Sequence, residues 1–380
     1  MAQSTDCCCF RPLNPTKVLR LAPCPLSSNT DGAPWGRPSN WGELTAMQPP
    51  KPRQWLGFNT TENGVMRDTW AKVLRFSLDC LGHPASLGHM LQQNRDLRFD
   101  LPGQPCSIAS SEVVRWHEWG KGSYLTGNWR APGELLGWKA VGTEFCSYHY
   151  TIDALANVGY TEIVESWECE IQDVQGLCAS KSELRDFESL DAMAVARTQY
   201  LVGEITHANL EKSLGWYEIR ILHRDSTDDF FACHQWDGRV FLMNSGGSHH
   251  FVAGRYLAAR LEVPVPLKGL LRVHRLSQAA VSRLVGEYEV FALNDDSEAF
   301  QRFFDAMREY RAGFLWTPLP RHLDGRAVFL PRGDARAMRI VPLMRAAGHF
   351  DLGAHLQELS ARPVRLPRIA SARRQMEPVE

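Results

Sequence analysis

The chain has 380 residues, 44% of them hydrophobic, which is enough for two compact units or one large one. Lys and Arg total 42 against 43 Asp and Glu, so the net charge of −1 excludes a general attraction to nucleic acid or acidic membranes. The ten cysteines form no C-x-x-C pair, and no stretch approaches the ~20 apolar residues of a spanning helix. We therefore expect a soluble, cytoplasmic protein that does not associate with membranes.

Composition divides the chain into five segments. Residues 1–62 are rich in Pro, Gly, Ser and Asn and are predicted to form a loop-rich arm. Residues 63–197 are predicted to form a Trp-rich α+β region, residues 198–293 an α/β core, and residues 294–360 an α/β extension packed on that core. Residues 361–380 are predicted to form a basic, flexible tail. The predicted fold class is therefore mixed α/β.

Periodicity predicts the elements of the first half. The apolar spacing from Val65 to Leu81 fits one face of a helix, ended by Gly82. The stretch "EIVESWECEI", residues 162–171, alternates apolar and polar positions and is predicted to be a strand. The spacing of apolar residues in "SELRDFESLDAMAVA", residues 182–196, predicts a helix.

From Thr198 onward, strands and helices are predicted to alternate in a mixed pattern. In chain order these elements are a strand over 200–205, a helix over 206–215 capped by Thr206, a strand over 216–222, a hairpin over 228–244 with its turn at Asp237-Gly238, a helix after Ser248, extended chain over 263–276, a helix capped by Ser277, a strand over 287–293 and a helix over 297–312.

The stretch "NSGGSHH", residues 244–250, joins the hairpin to the following helix. Gly246 and Gly247 allow close approach of a ligand to the backbone, and Ser248 is a good N-cap residue. Helix N-termini after glycine turns can bind anions, and His249 and His250 can add hydrogen bonds. A plain strand-to-helix turn with a capping serine explains the same residues.

The order strand, Asp-Gly turn, strand, "GGSHH" and amphipathic helix resembles the nucleotide-binding region of the ParB and sulfiredoxin superfamily over residues 198–276. The matching positions are Gly246, Gly247, His249 and His250 in the loop, Ala253, Arg255, Ala258 and Ala259 in the helix, and Val263, Pro264 and Val265 after it. The superfamily commonly has Arg where this chain has His250. The resemblance implies a core of that type and a bound nucleotide or phosphorylated small molecule.

Eight positions are assigned roles on the basis of this resemblance. Those predicted to bind the phosphate are Gly246, Gly247, Ser248, His249, His250 and Arg255. The candidate catalytic residues are Glu204, Asp237 and His249, with Glu204 or Asp237 holding Mg²⁺ or acting as a base. Hydrolysis of a nucleoside triphosphate and phosphoryl transfer are the reactions that such a pocket could serve. The sequence leaves open whether the protein is an enzyme.

Three other functions stay open. A metal-dependent enzyme would draw on the His, Cys and Asp residues at His207, His223, Asp225, Asp228, Asp229, Cys233, His234, Asp237, His249 and His250. Nucleic acid could bind the Arg-rich residues 252–284 and 361–380. The third is a non-catalytic interaction or DNA-associated accessory protein of bacterial, plasmid or phage origin. A serine hydrolase is disfavoured, since "GGSHH" lacks the second glycine of a G-x-S-x-G elbow.

Overall fold

The computed structural model describes residues 60–103, 106–125, 128–224 and 226–367. Most of the predicted N-terminal arm and of the predicted basic tail lies outside these residues. The described part has twelve α-helices and thirteen strands, which confirms the predicted mixed α/β class. None of these helices combines the length and the apolar composition that crossing a bilayer requires.

The helices are α1 (Thr60–Cys80), α2 (Ala85–Gln93), α3 (Asp153–Ala156), α4 (Leu190–Arg197), α5 (Gln199–Val202), α6 (His207–Leu214), α7 (Arg220–His223), α8 (Ser248–Leu261), α9 (Gln278–Glu287), α10 (Ser297–Tyr310), α11 (Ala335–Ala346) and α12 (Leu352–Ala361). The strands are β1 (Ser123–Leu125), β2 (Asn128–Arg130), β3 (Glu134–Val141), β4 (Glu144–Thr151), β5 (Gly159–Glu170), β6 (Val174–Leu177), β7 (Phe230–His234), β8 (Val240–Met243), β9 (Pro266–Leu276), β10 (Tyr288–Asn294), β11 (Phe314–Pro318), β12 (Gly325–Pro331) and β13 (Phe350–Asp351).

A six-stranded antiparallel sheet has the order β13-β10-β12-β11-β3-β4. The interior strand β10 is apolar on both faces: Phe291 and Leu293 face a cluster that includes α2, α10 and α11, while Val290 and Ala292 face the opposite cluster. Because both faces are covered, the strand is a continuous apolar run rather than an alternating one. The sheet joins strands from distant parts of the sequence.

A five-stranded mixed sheet has the order β5-β9-β7-β8-β6. The β5–β9 and β7–β8 pairs are antiparallel, whereas β7–β9 and β6–β8 are parallel. Helices α4, α6 and α8 contribute to the cluster on this sheet, which buries Phe231, Phe251 and Leu257. A further cluster joins Phe241 of this sheet to Phe329 of the six-stranded sheet. Each sheet takes strands from more than one of the five segments inferred from composition.

Most of the elements predicted from periodicity are confirmed. The helix after Val65 lies in α1, the strand over 162–171 in β5, and the extended segment over 263–276 contains β9. Strands β7 and β8 form the predicted hairpin, with a loop over residues 235–239. Thr206 and Ser277 cap α6 and α9 through their side chains, as expected. The helix predicted over 182–196 is divided into a 3₁₀ turn and α4, which starts after Ser189.

Two strand predictions are wrong. Residues 200–205 form the end of α5 and a bend, and residues 216–222 form turns and the start of α7. The apolar side chains that suggested strands include Tyr200, Ile205 and Tyr217, which are exposed. Gly203 has a positive φ of 49°, which ends α5. These segments pack beside α8 and bury Ile219 and Ile221 in the cluster on the five-stranded sheet, but they pair with no strand among the described residues.

Candidate functional site

The glycine turn leads from β8 directly into α8. Gly247 has a φ of 69° and occupies the N-cap position, so the prediction that Ser248 caps the helix is wrong: Ser248 is the first helical residue. A Cβ atom at Gly247 would lie 2.7 Å from the carbonyl oxygen of Glu218, which is why glycine is required there. No side chain accepts a capping hydrogen bond at this N-terminus. The first amides of α8 therefore lack the partner that a serine N-cap would provide.

Three serines and a histidine meet at the first turn of α8. The Ser248 hydroxyl donates to the Ser180 hydroxyl over 3.0 Å, and the Ser182 hydroxyl lies 3.0 Å from Nε2 of His249. Lys181, which is exposed, stands between the two loop serines. We call Ser180, Lys181, Ser182, Ser248 and His249 the α8 cluster. It combines hydroxyl groups, an imidazole and an ammonium group beside an uncapped helix N-terminus.

Asn244 holds the loop of the α8 cluster in place. Its side-chain oxygen accepts hydrogen bonds from the backbone amides of Cys178 and Ala179, each over 3.2 Å. Its side-chain nitrogen donates to the carbonyl oxygens of Ala179, at 2.9 Å, and of Gly246, at 3.0 Å. Because Asn244 is buried and makes all four bonds, it ties the loop carrying Ser180 to the glycine turn.

Positive charge surrounds His249. Burial lowers the pKa of this imidazole, and the neighbouring charges of Lys181 and Arg197 lower it further. The imidazole is therefore neutral near pH 7, and the positive potential at the cluster comes from the lysine, the arginine and the helix N-terminus. A neutral His249 can donate or accept one hydrogen bond beyond its contact with Ser182.

His250 has different surroundings from His249. Its ring stacks on Trp216, with centroids 4.5 Å apart and planes within 7°. The Trp216 indole donates to Glu218 over 3.1 Å. Burial lowers the pKa of His250, with Glu218 acting in the opposite direction. At the position where the resembling domains have a phosphate-binding arginine, this chain has an imidazole packed on an indole.

Arg255 lies two turns along α8 and binds other protein groups. Its Nη1 is 2.5 Å from Asp191, its Nε donates to the Val174 carbonyl over 3.1 Å, and its Nη2 donates to the Gln172 carbonyl over 3.2 Å. The guanidinium connects α8 to α4 and to the chain around β6. The structure therefore places Arg255 in a structural contact and not in the α8 cluster.

The structure does not bring Glu204 or Asp237 to the glycine turn. Glu204 is exposed between α5 and α6, and Glu218, beyond the other end of α6, is the carboxylate that lies against Gly246. Asp237 lies in the hairpin loop, at the opposite end of β8, where its carboxylate binds Arg239 through two contacts of 2.8 and 2.7 Å. Both carboxylates were predicted to hold Mg²⁺ or act as a base.

In the part of the chain that the structure describes, no three His, Cys, Asp or Glu side chains gather as metal ligands. Asp225 lies outside the described residues. His234 instead packs against His117 and His274, with ring centroids 5.6 and 4.7 Å away. Burial lowers the pKa of His117 to about 3 and that of His274 to about 4. This histidine stack is thus neutral at pH 7, and two of its members fall outside the set predicted for metal binding.

Acidic partners compensate much of the basic segment over 252–284. Arg255 and Arg260 both pair with Asp191, at 2.5 and 3.5 Å. Lys268 pairs with Glu168 at 3.2 Å, and Arg275 pairs with Glu162 at 2.8 Å. Four of the six basic residues in the segment are therefore ion-paired. Binding of nucleic acid to this segment stays a prediction, with less free charge than the sequence suggested.

Sequence reasoning missed the loop serines and Lys181. The available signal was the motif "SKS" at residues 180–182, which is small and polar and lies between two apolar segments. Nothing in its spacing relates it to "GGSHH", about 65 residues later. The pairing of parallel strands β6 and β8 brings the ends of both strands, and so both motifs, to one edge of the sheet.

A family model described as a family of unknown function, DUF6685, matches residues 164–368, which cover more than half of the chain. The matched region includes the whole α8 cluster and both parallel strands that position it. No curated protein and no solved structure matches the chain.

Proposed function

The chain belongs to the DUF6685 family, whose function is unknown, so we propose a function from the α8 cluster itself. We propose that the protein binds the phosphate group of a nucleotide or phosphorylated small molecule at the start of α8. One observation carries the proposal. The Ser180–Ser182 loop is hydrogen-bonded to the first turn of a helix whose N-terminus has no side-chain cap. Such an N-terminus attracts anions because its free amides and the helix dipole both favour negative charge.

Each member of the α8 cluster has a role in this proposal. Phosphate oxygens accept from the first amides of α8 and from the hydroxyls of Ser180 and Ser182. Lys181, with its exposed side chain, supplies a mobile positive charge. His249, as a neutral ring, donates its single N–H to the Ser182 oxygen and so leaves the Ser182 hydroxyl hydrogen for the phosphate, an arrangement that does not need a protonated ring near pH 7. The resemblance to ParB and sulfiredoxin domains implies the same kind of ligand, but it also assigns phosphate contacts to His250 and Arg255, which lie outside the α8 cluster.

We propose that the α8 cluster binds the phosphate group, and we propose no reaction there. Glu204 and Asp237 lie away from the α8 cluster, and Asp237 is already paired with Arg239. A Mg²⁺ ion would accompany the nucleotide, held by its phosphates, rather than occupy a site of its own. Hydrolysis or phosphoryl transfer would need a base that these two residues do not provide.

A cytoplasmic location is part of the same proposal. Cys169 and Cys233 are buried free thiols, which suits a reducing compartment. Burial raises the pKa of each thiol to about 12, so both remain protonated and unreactive at neutral pH. Nucleotides and phosphorylated metabolites are abundant in that compartment.

The test is calorimetric titration of the full chain with ATP, ATP and Mg²⁺, and inorganic phosphate. We expect the double variant Lys181→Ala, Ser182→Ala to bind at least one of these ligands about tenfold more weakly than wild type, because it loses a charge and a hydroxyl donor. Lys72→Ala is the control for a lost positive charge, since Lys72 is exposed on α1, which packs against α2 and α10. Equal affinities in wild type and the double variant would refute the proposal.

A further inference from the structure

A cavity lies outside the region described so far. It has a volume of about 660 Å³ and opens between the loop before β1, the start of β3 and the chain after β11. Four basic residues line it: Arg115, Lys121, Arg130 and Arg321. We call this space the arginine cavity. Its volume is within the range of small-molecule sites, so a ligand rather than a single ion would fill it.

The four cations of the arginine cavity have no acidic partner among the ion pairs of the described residues. Arg130 is half-buried, and its Nη1 is buried without any hydrogen-bond partner. Its guanidinium carbon lies 5.7 Å from the centroid of the Trp316 ring. Because no internal acceptor compensates this donor, the charge of Arg130 stays available to an anion in the cavity.

Two carboxylates, Glu118 and Glu134, also line the arginine cavity, and Glu134 binds other protein groups. Glu134 lies 2.8 Å from Nδ1 of His149 and accepts the amide of Ala131 over 2.9 Å. Glu118 lies 3.6 Å from His117. Four cations against two carboxylates leave an excess of positive charge in a concave site, where fields are focused.

Arg115 is held by a neutral partner, which preserves its charge for a ligand. Its Nη1 lies 3.4 Å from Nε2 of the buried His234, and since a guanidinium can only donate, Nε2 must be the acceptor. Burial lowers the pKa of His234 well below its ordinary value, with His274 and Arg115 adding to the effect. A carboxylate in the place of His234 would orient the arginine equally well but would cancel its charge. The histidine stack therefore positions Arg115 without neutralising it.

The wall of the arginine cavity is built from rigid backbone. Gly120 has a φ of 78°, and a Cβ atom there would collide with the Leu155 carbonyl. Gly133, with a φ of 73°, donates its amide to the Gly120 carbonyl over 2.7 Å. The Trp119 indole donates to the Pro318 carbonyl over 3.0 Å and fixes the opposite side. A preformed wall lowers the entropy lost on binding.

We propose that the arginine cavity binds a small organic polyanion, a molecule with at least two phosphate or carboxylate groups, through Arg115, Arg130 and Arg321. Guanidinium groups suit this role because they pair bidentately with both kinds of anion. The apolar part of such a ligand would lie against Leu155 and Leu319, which also line the cavity. This site is independent of the α8 cluster and shares no residue with it.

The test is titration of the full chain with pyrophosphate, ATP and citrate, which separate phosphate from carboxylate ligands. We expect at least one of them to bind saturably, and Arg130→Gln and Arg321→Gln each to weaken that binding about tenfold. Arg283→Gln is the matched control, because Arg283 is exposed on α9, outside the cavity, and removes the same charge. Where a probe binds at both proposed sites, Lys181→Ala, Ser182→Ala should weaken only the binding component that Arg130→Gln and Arg321→Gln leave unchanged, which separates the two sites.

A second measurement covers the case in which a variant does not fold. Wild-type protein is treated with phenylglyoxal, with and without the probe that binds, and the modified arginines are identified by mass spectrometry. We expect the probe to protect Arg130 and Arg321 but not Arg283. The proposal is overturned if none of the three probes binds, if the cavity variants bind as tightly as Arg283→Gln, or if protection falls equally on all three arginines.

Discussion

His249 and His250 are adjacent in the chain yet occupy different chemical surroundings. One contacts a serine hydroxyl in a positive environment, and the other stacks on an indole beside a carboxylate. Successive helical residues point about 100° apart, so neighbouring side chains reach different partners. The sequence identifies both as histidines at a helix start, but only their contacts separate a candidate ligand-binding group from a packing group. The same holds for Arg255, whose partner Asp191 is 64 positions away.

Gly247 requires its positive φ, so its replacement should destabilise the fold. Gly247→Ala should lower the free energy of unfolding by about 1–3 kcal/mol, because the backbone has a positive φ and the new Cβ would meet the Glu218 carbonyl. Urea unfolding followed by circular dichroism measures the change.

The control for this prediction is Gly286→Ala. Gly286 lies in α9 without a positive φ, and a Cβ there would meet nothing within 4 Å. Alanine should be neutral or stabilise by up to about 1 kcal/mol, since it favours the helix. Equal destabilisation at both positions would show that the turn conformation is not the cause.

Helices with a long apolar stripe and strands within a covered sheet were predictable from their periods. Helix α10 begins after Asp296 and ends at Tyr310, close to the predicted 297–312. Strand β10 lies within one residue of the predicted 287–293. The segments at 200–205 and 216–222 were not predictable, because exposed aromatic residues imitate a strand pattern and the choice depends on whether a neighbouring strand exists.

Asp334 caps helix α11 and also binds the chain before β11. Its carboxylate accepts the amides of Arg336 and Ala337 at the start of α11 and also the amide of Gly313, over 2.8, 3.2 and 2.9 Å. Asp334→Ala should therefore cost about 2 kcal/mol of stability, more than an ordinary cap, because three donors lose their acceptor.

Ser277→Ala provides the comparison for Asp334. Ser277 caps α9 through a single hydrogen bond to the Ala280 amide, so its removal should cost about 1 kcal/mol. Thermal or urea unfolding of both variants under the same conditions compares the two caps. If Ser277→Ala costs as much as Asp334→Ala, the contact between Asp334 and Gly313 contributes nothing to stability.

The stability of the whole molecule should depend on pH through its buried histidines. Burial lowers the pKa of His349 from the usual 6.5 to about 4, with the charge of Arg98 acting in the same direction, and neither ring nitrogen has a hydrogen-bond partner. The unfolded chain thus takes up a proton at a pH where the folded chain does not. The contribution of the neutral His349 ring to the free energy of unfolding is therefore fully present above about pH 6.5 and is lost as pH falls toward 4.

The variant His349→Leu tests this linkage. The free energy of unfolding of wild type should fall as pH decreases from about 6.5 to about 4. In the variant this slope should be smaller by the amount that one proton contributes, about 1.4 kcal/mol per pH unit. Urea unfolding at a series of pH values measures both slopes. Identical slopes in the two proteins would show that His349 is not buried as a neutral ring.

Local patterns in the sequence predict the fold class, the hairpin, half of the helices and the position of the glycine turn. These depend on local properties: apolar period, capping residues and the φ of glycine are all set within a few positions of the chain. The residues that lie beside that turn are brought there by the tertiary structure. Ser182 reaches His249 through the parallel pairing of β6 and β8, Arg255 is bound by Asp191, and Arg115 meets His234 across 119 positions. Side-chain periodicity carries no information about such distant partners, because strand order and helix packing bring them together.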